Sequence, residues 1–210
     1  MGSEPGPVGR LETRSVSGIV LAGGASRRLG RDKRAVELHG RPMLVLALDL
    51  VAGVADDLIV SCRRDDPPEP SLLEGRLVRI VFDERGVGPL AGVETALAAA
   101  THDLAVVVPV DMPGLTPVLL TVLVEAALAQ PDAQGAVFVT SSGPAAFPGA
   151  YRRSILPQVV KQLDAGAFRM HEMLRGLNLV SVPPPSGAEV DESAFLNVNT
   201  QADLDQAKRV

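Results

Sequence analysis

Short apolar runs alternate with longer amphipathic stretches along most of the chain, and no other feature restricts its fold as much. Gly18-Ile19-Val20-Leu21, Leu58-Ile59-Val60, residues 78–82 and the β-branched run 104–108 have the length and composition of buried strands. Between them lie helix-length segments at 43–52, from Pro89 to Ala100 and from Thr116 to Ala129. Pro89 suits a first helical turn, where a missing N–H loses no partner. This alternation predicts an α/β chain whose mostly parallel central sheet is covered by helices on both faces, in three layers.

The second half is less regular. Residues 136–140 and 146–151 read as strands, the latter a candidate for antiparallel pairing, with helices at 154–164 and 169–176. Pro183, Pro184 and Pro185 exclude regular helix and mark a loop. Residues 195–199 read as a last strand. Thr200 then offers an N-cap to a closing helix with Asp203 in its first turn. With neither repeat nor linker, residues 16–210 are expected to form a single domain behind a disordered leader, 1–15.

The 210 residues are 46% hydrophobic and 21% charged, which describes a chain able to bury a core. A net charge of −5 argues against a nucleic-acid or membrane partner, since both favour basic surfaces. Cys62, the single cysteine, can form neither an internal disulfide nor a thiolate zinc site. The N-terminus lacks the basic and apolar parts of a signal peptide, and no apolar run approaches the roughly 20 residues of a membrane span. A reducing, cytoplasmic setting is expected.

After the first strand comes Leu21-Ala22-Gly23-Gly24-Ala25-Ser26-Arg27-Arg28-Leu29-Gly30-Arg31-Asp32-Lys33. In an open parallel sheet, ligands bind at the carboxyl ends of strands, where this loop would lie. Gly23 and Gly24 let the backbone turn and bring N–H groups close to phosphate oxygens. Arg27, Arg28 and Lys33 add the cations that a reacting phosphoryl group requires. The expected architecture is therefore a nucleotide-binding, Rossmann-like fold. The loop is neither a Walker loop, which needs Gly-Lys-Ser or Gly-Lys-Thr, nor a G-x-G-x-x-G dinucleotide loop. A second cluster, Gly86-Val87-Gly88-Pro89 with Gly92, is either another backbone approach to the nucleotide or a plain turn.

Asp111 follows the run 104–110 and should emerge beside the first loop. Mg²⁺ takes oxygen ligands, commonly one or two carboxylates with substrate phosphates, so Asp111 is the leading metal-ligand candidate. A helix N-cap is the competing role, since Pro113 and Thr116 lie just beyond. Asp83 ends the preceding strand, as a nucleotide contact or a solvated acid. Asn197 and Asn199 would share one face of their strand, for ligand contact or for strand-end hydrogen bonding. Tyr151-Arg152-Arg153 and Arg169 either line a pocket for an anionic acceptor or are solvated charges. His39, His102 and His171 have no ligand at metal spacing, and Cys62 reads as a buried apolar residue.

Leu21-Ala22-Gly23-Gly24, Ser26-Arg27-Arg28, Gly30 and Asp32-Lys33 together resemble the opening motif of the molybdenum cofactor guanylyltransferases, the MobA-like nucleotidyltransferases. Gly88-Pro89-Leu90-Ala91-Gly92, Pro109-Val110-Asp111-Met112-Pro113 and residues 195–200 follow in the family's order. The resemblance implies transfer of GMP from GTP to the phosphate of molybdopterin, giving molybdopterin guanine dinucleotide and pyrophosphate. It places Leu21, Ala22, Gly23, Gly24, Lys33, Ser61, Asp83, Gly88, Pro89, Leu90 and Asp111 at the nucleotide. Asn197 and Asn199 fall at the acceptor, so the N-terminal half would bind NTP and the C-terminal half the acceptor. Arg28, Lys33 and Asp111 would be catalytic, Asp111 as the Mg²⁺ ligand and Arg28 by stabilising the transition state. Ser61 departs from the pattern, because many guanylyltransferases have an asparagine near the base.

Expected partners are GTP and molybdopterin or Mo-molybdopterin, with transient contact to proteins that deliver or receive the cofactor. The rival readings are a cytidylyltransferase acting on the same pterin, a sugar-phosphate nucleotidyltransferase, and a non-catalytic GTP-binding module. The intact Gly88–Gly92 run favours the guanylyl branch. Arg28, Lys33 and Asp111 together favour catalysis over binding alone.

Overall fold

The computed structural model describes residues 15–23, 32–185 and 192–208. Most of the expected leader lies outside these residues, as do Gly24 and Arg28 of the glycine-rich loop. The strands are β1 (Val16–Leu21), β2 (Glu37–Leu38), β3 (Arg41–Pro42), β4 (Asp57–Arg63), β5 (Val78–Asp83), β6 (Leu104–Pro109), β7 (Gly135–Thr140), β8 (Gly143–Arg152) and β9 (Leu179–Val182). The helices are α1 (Met43–Ala52), α2 (Pro89–Ala99), α3 (Pro117–Ala129), α4 (Leu156–Asp164), α5 (Met170–Arg175) and α6 (Gln201–Ala207).

A seven-stranded sheet runs in the order β5-β4-β1-β6-β8-β7-β9, while β2 and β3 form a separate ribbon. Only β8 runs against its neighbours, pairing antiparallel with both β6 and β7. The chain leaves β1 for β4 and β5 on one side, then returns to β6 on the other. That reversal opens a crevice at the carboxyl edge between β1 and β6, where open α/β sheets take ligands.

Both faces of the sheet are covered. Val16 and Val20 of β1 pack in one apolar cluster with α1 and α3, whereas Ile19 and Leu21 pack in the other with α2, α4 and α5. The uninterrupted apolar run of β6 follows from this double burial. Gly18 is where α1 comes closest, since a Cβ there would sit 2.9 Å from Val51 Cβ. The expected three-layer α/β/α fold and the antiparallel placement of residues 146–151 are both present.

Two expectations change. Residues 195–199 are not a strand: a 3₁₀ turn ends at Phe195 and irregular backbone follows. The Val198 N–H donates to the carbonyl of Asp111 at 2.7 Å, and the Asn199 and Thr200 N–H groups donate to the Asp203 carboxylate. Those donors are therefore spent outside any ladder. The sequence also left β9 and the β2–β3 ribbon unassigned. The ribbon turns on His39 and Gly40, both at positive φ (51° and 75°), as a tight hairpin requires.

Candidate active site

The crevice holds two adjoining cavities, of about 510 and 230 Å³, which share Leu21, Gly23 and Pro89. The larger lies between the ends of β1 and β6 and the C-terminal segment, with Lys33, Asp111, Asn197 and Asn199 on its wall. Its opposite side is apolar, with Ala146, Phe147 and Phe195. The smaller runs under α2 along Ser61, Cys62, Asp83, Gly86, Gly88 and Gly92. Backbone bonds at the strand ends hold this edge together: Ala22 N–H to Ser61 carbonyl (2.8 Å) and Val110 N–H to Leu21 carbonyl (3.0 Å).

At the centre, the Lys33 ammonium donates to Asp111 Oδ2 at 3.1 Å and to Asn199 Oδ1 at 2.5 Å. The side chains of Lys33 and Asp111 are 15% and 20% exposed, so this ion pair faces the cavity without being flooded by solvent. Asp111 is not a helix cap. The helix begins six residues later, with Thr116 at its N-cap position. Lys33 opens a 3₁₀ turn capped by Asp32, whose carboxylate accepts from the Arg34 N–H at 2.9 Å. The buried Arg34 also binds Asp32 and Asp66 with its guanidinium. Burial alone would lower the Arg34 pKa, but hydrogen bonds and charge from the two carboxylates outweigh it and raise it. A fully paired buried arginine anchors the exit of the glycine-rich loop. This role was invisible in the sequence, where Arg34 looks like any other basic residue near the loop.

The residues expected at the nucleotide divide between the two cavities: Ala22, Lys33 and Asp111 line the larger, Ser61, Asp83 and Gly88 the smaller, Leu21, Gly23 and Pro89 both, and Leu90 neither. Ser61 is 2% exposed and its hydroxyl is buried without a hydrogen-bond partner beside Gly92. Asp83 turns its carboxylate onto the N–H groups of Arg85 and Gly86, both at 2.9 Å, and so shapes the loop as well as the cavity wall. Gly88 leads into α2 at φ 120°, a conformation that favours glycine. Leu90 is wholly buried in the apolar cluster under α2, so only its backbone is left for a ligand. Burial pushes the Cys62 thiol up to about 11, which fits an inert apolar residue.

One grouping fails. Tyr151 is fully buried and donates to the Ala146 carbonyl, while Arg152 binds Asp103 and the carbonyls of Ala127 and Ala133. Because β8 is antiparallel, Arg152 pairs with Leu104 at the start of β6, the edge opposite the cavities. Arg153 and Arg169 are exposed and line neither of them. Phe147 and Ala146 line the larger cavity without having stood out in the sequence, since nothing local distinguishes a cavity phenylalanine from a core one.

Donor chemistry narrows what metal would suit this edge. Among the described residues no three His, Cys, Asp or Glu side chains cluster. The larger cavity is lined by two carboxylates, Asp111 and the Arg34-bound Asp32, and by the amides of Asn197 and Asn199. A hard oxygen set completed by substrate phosphates suits Mg²⁺ and not a thiolate or imidazole metal.

Residues 18–180 match the MobA-like NTP transferase domain family. A probable molybdenum cofactor guanylyltransferase of Chloroflexus aggregans is 35% identical, across 90% of this chain and 91% of that one. Another probable molybdenum cofactor guanylyltransferase, from Thermococcus gammatolerans, is 30% identical across 89% and 96%. The crystal structure of molybdopterin-guanine dinucleotide biosynthesis protein A from Archaeoglobus fulgidus superposes with a TM-score of 0.76. It has 24% identity and covers 92% of this chain and 97% of that one. A Lys–Asp pair at the switch point of a Rossmann-like sheet and a family match over most of its length lead to one conclusion: this chain belongs to the MobA-like NTP transferase family and is a nucleotidyltransferase.

Proposed function

We propose that the protein transfers GMP from GTP to the phosphate of molybdopterin, releasing pyrophosphate. The observation that carries this reading is the Lys33–Asp111 pair on the wall of the larger, partly aromatic cavity, which adjoins the smaller one across Leu21, Gly23 and Pro89. Asp111, with the Asn197 and Asn199 amides nearby, would hold Mg²⁺. Bound there, the ion would offset charge on the phosphates of the reacting NTP.

The chain's own residues supply position and charge. Gly23 and the turn at Gly88, which line the smaller cavity, would present backbone to the nucleotide, with Ser61 and Asp83 of the same lining at its base end. Lys33 neutralises the polyphosphate, and Arg28 stabilises charge in the transition state. An acceptor phosphate is already ionised at neutral pH, so no strong general base is required. In-line attack by the acceptor oxygen on the α-phosphorus forms the new P–O bond as the bond to pyrophosphate breaks. Phe147 and Phe195 offer apolar surface for a planar acceptor ring.

Pyrophosphate release is measured with each NTP, Mg²⁺ and Mo-molybdopterin. GTP is expected to support turnover, and chelation of the metal to stop it. Release with CTP and none with GTP would overturn the base assignment, on which Ser61 bears. Tight nucleotide binding with no release from any NTP would instead mean a binding module. Among the described residues no helix is long and apolar enough to cross a membrane.

A further inference from the structure

Lys33 carries its charge on a flexible four-carbon stem, and a lysine left free spends most of its time away from any one geometry. Here it is held from the far end of the sequence, by Asn199 Oδ1 at 2.5 Å. Asn199 itself lies on irregular backbone with no strand ladder to place it. What places it is Asp203, whose Oδ2 accepts from the N–H groups of both Asn199 (2.9 Å) and Thr200 (2.8 Å). The Thr200 hydroxyl accepts in return from the Asp203 N–H at 3.2 Å, closing a capping box at the start of α6. One residue earlier, the Val198 N–H is tied to the Asp111 carbonyl at 2.7 Å. The segment is thus fastened on both sides of the amide that grips Lys33.

We propose that Asp203 is a positioning residue, which acts through Asn199 to aim the Lys33 ammonium at the polyphosphate of the substrate. Backbone hydrogen bonds from Asn199 and Thr200, then the Thr200 hydroxyl and the nearby Lys33 charge, hold the Asp203 carboxyl below its usual range. It therefore grips as a carboxylate at neutral pH. The helix cap and the catalytic lysine become one device: loosening the cap frees Asn199, and Lys33 then loses the anchor that fixes its aim alongside Asp111.

The proposal rests on reading the larger cavity as a phosphate site, so inorganic pyrophosphate with Mg²⁺ is the probe. Its binding depends on neither base nor acceptor. Calorimetric titration of Asp203→Ala is expected to show affinity about tenfold weaker than wild type. Asp203→Glu keeps the carboxylate of a capping box and is expected to stay within about twofold. In a Lys33→Met background, Asp203→Ala should change affinity by less than about twofold, because the route through Lys33 is gone. Both halves of this cycle carry the same fraying of α6, so a purely structural effect cancels. Equal losses in the two backgrounds, or no loss with Lys33 present, would overturn the proposal. Wild-type protein that fails to bind pyrophosphate would overturn it together with the phosphate-site reading. Pyrophosphate binding with the expected pattern but no turnover of GTP would support it and sink only the substrate assignment.

Discussion

Asp111 and Asp57 occupy opposite edges of the same sheet, and each meets a cation. At the amino edge, Asp57 accepts from the Ser17 hydroxyl (2.6 Å), the Thr101 N–H (2.9 Å) and the Arg79 guanidinium (2.6 Å). Burial alone would raise its pKa, but these donors and the Arg79 charge outweigh it and bring it down to about 2. His102 joins this edge through Asp56 and the Ser17 hydroxyl. Neither cavity of the active site includes Asp57. Asp111 instead faces open volume, with Lys33 and two asparagine amides around it. A carboxylate whose donors close around it ties elements together. One that looks into a cavity is available for chemistry.

The sharpest way to break this contrast is to neutralise each acid in turn. Asp111→Asn should lower kcat about 10³-fold, the scale expected when a metal ligand is lost. Its melting temperature should change by no more than about 3 °C, because the backbone bond from Val198 to Asp111 survives. Near-wild-type turnover in a pyrophosphate-release assay would remove Asp111 from the mechanism. Arg28→Ala comes next, with kcat down about 10²-fold and NTP affinity changed less than about threefold, the outcome expected of a charge that acts in the transition state. A change confined to KM would contradict that role.

Asp57→Asn should do the reverse, leaving turnover intact while the melting temperature falls by about 3–8 °C as its donors lose a charged acceptor. A folded pKa below the unfolded value of 3.8 means that this stabilisation is complete above that value. It is lost as pH falls from there toward about 2. Thermal melts across that range should therefore show a shallower acid loss in the variant than in the wild type. Identical acid limbs would mean that the network contributes little, and the two aspartates would differ less than their surroundings suggest.

The amino-terminal half was largely legible because its signals are local. Apolar run length marked β1, β4 and β6, Pro89 marked the start of α2, and a glycine pair after a strand marked the loop. Asp111 could be placed at the carboxyl edge because it directly follows a run that can only be a buried strand. In the second half the same reasoning made residues 195–199 a strand and left Arg152 open between an acceptor pocket and a solvated charge. Alternating polarity cannot reveal that the Val198 N–H is taken by a loop carbonyl, nor that Arg152 is closed away beside the start of β6.

Composition and periodicity thus determined the layers, the crevice and the candidate catalytic acid, because burial on both faces of a parallel sheet writes itself into every strand. Only the tertiary structure decided which charges look into the crevice and which are closed away. It also showed that Lys33, Asp111 and Asn199, far apart in the chain, meet at one point. The reason is physical: a hydrogen bond between segments distant in sequence leaves no periodic trace in either of them.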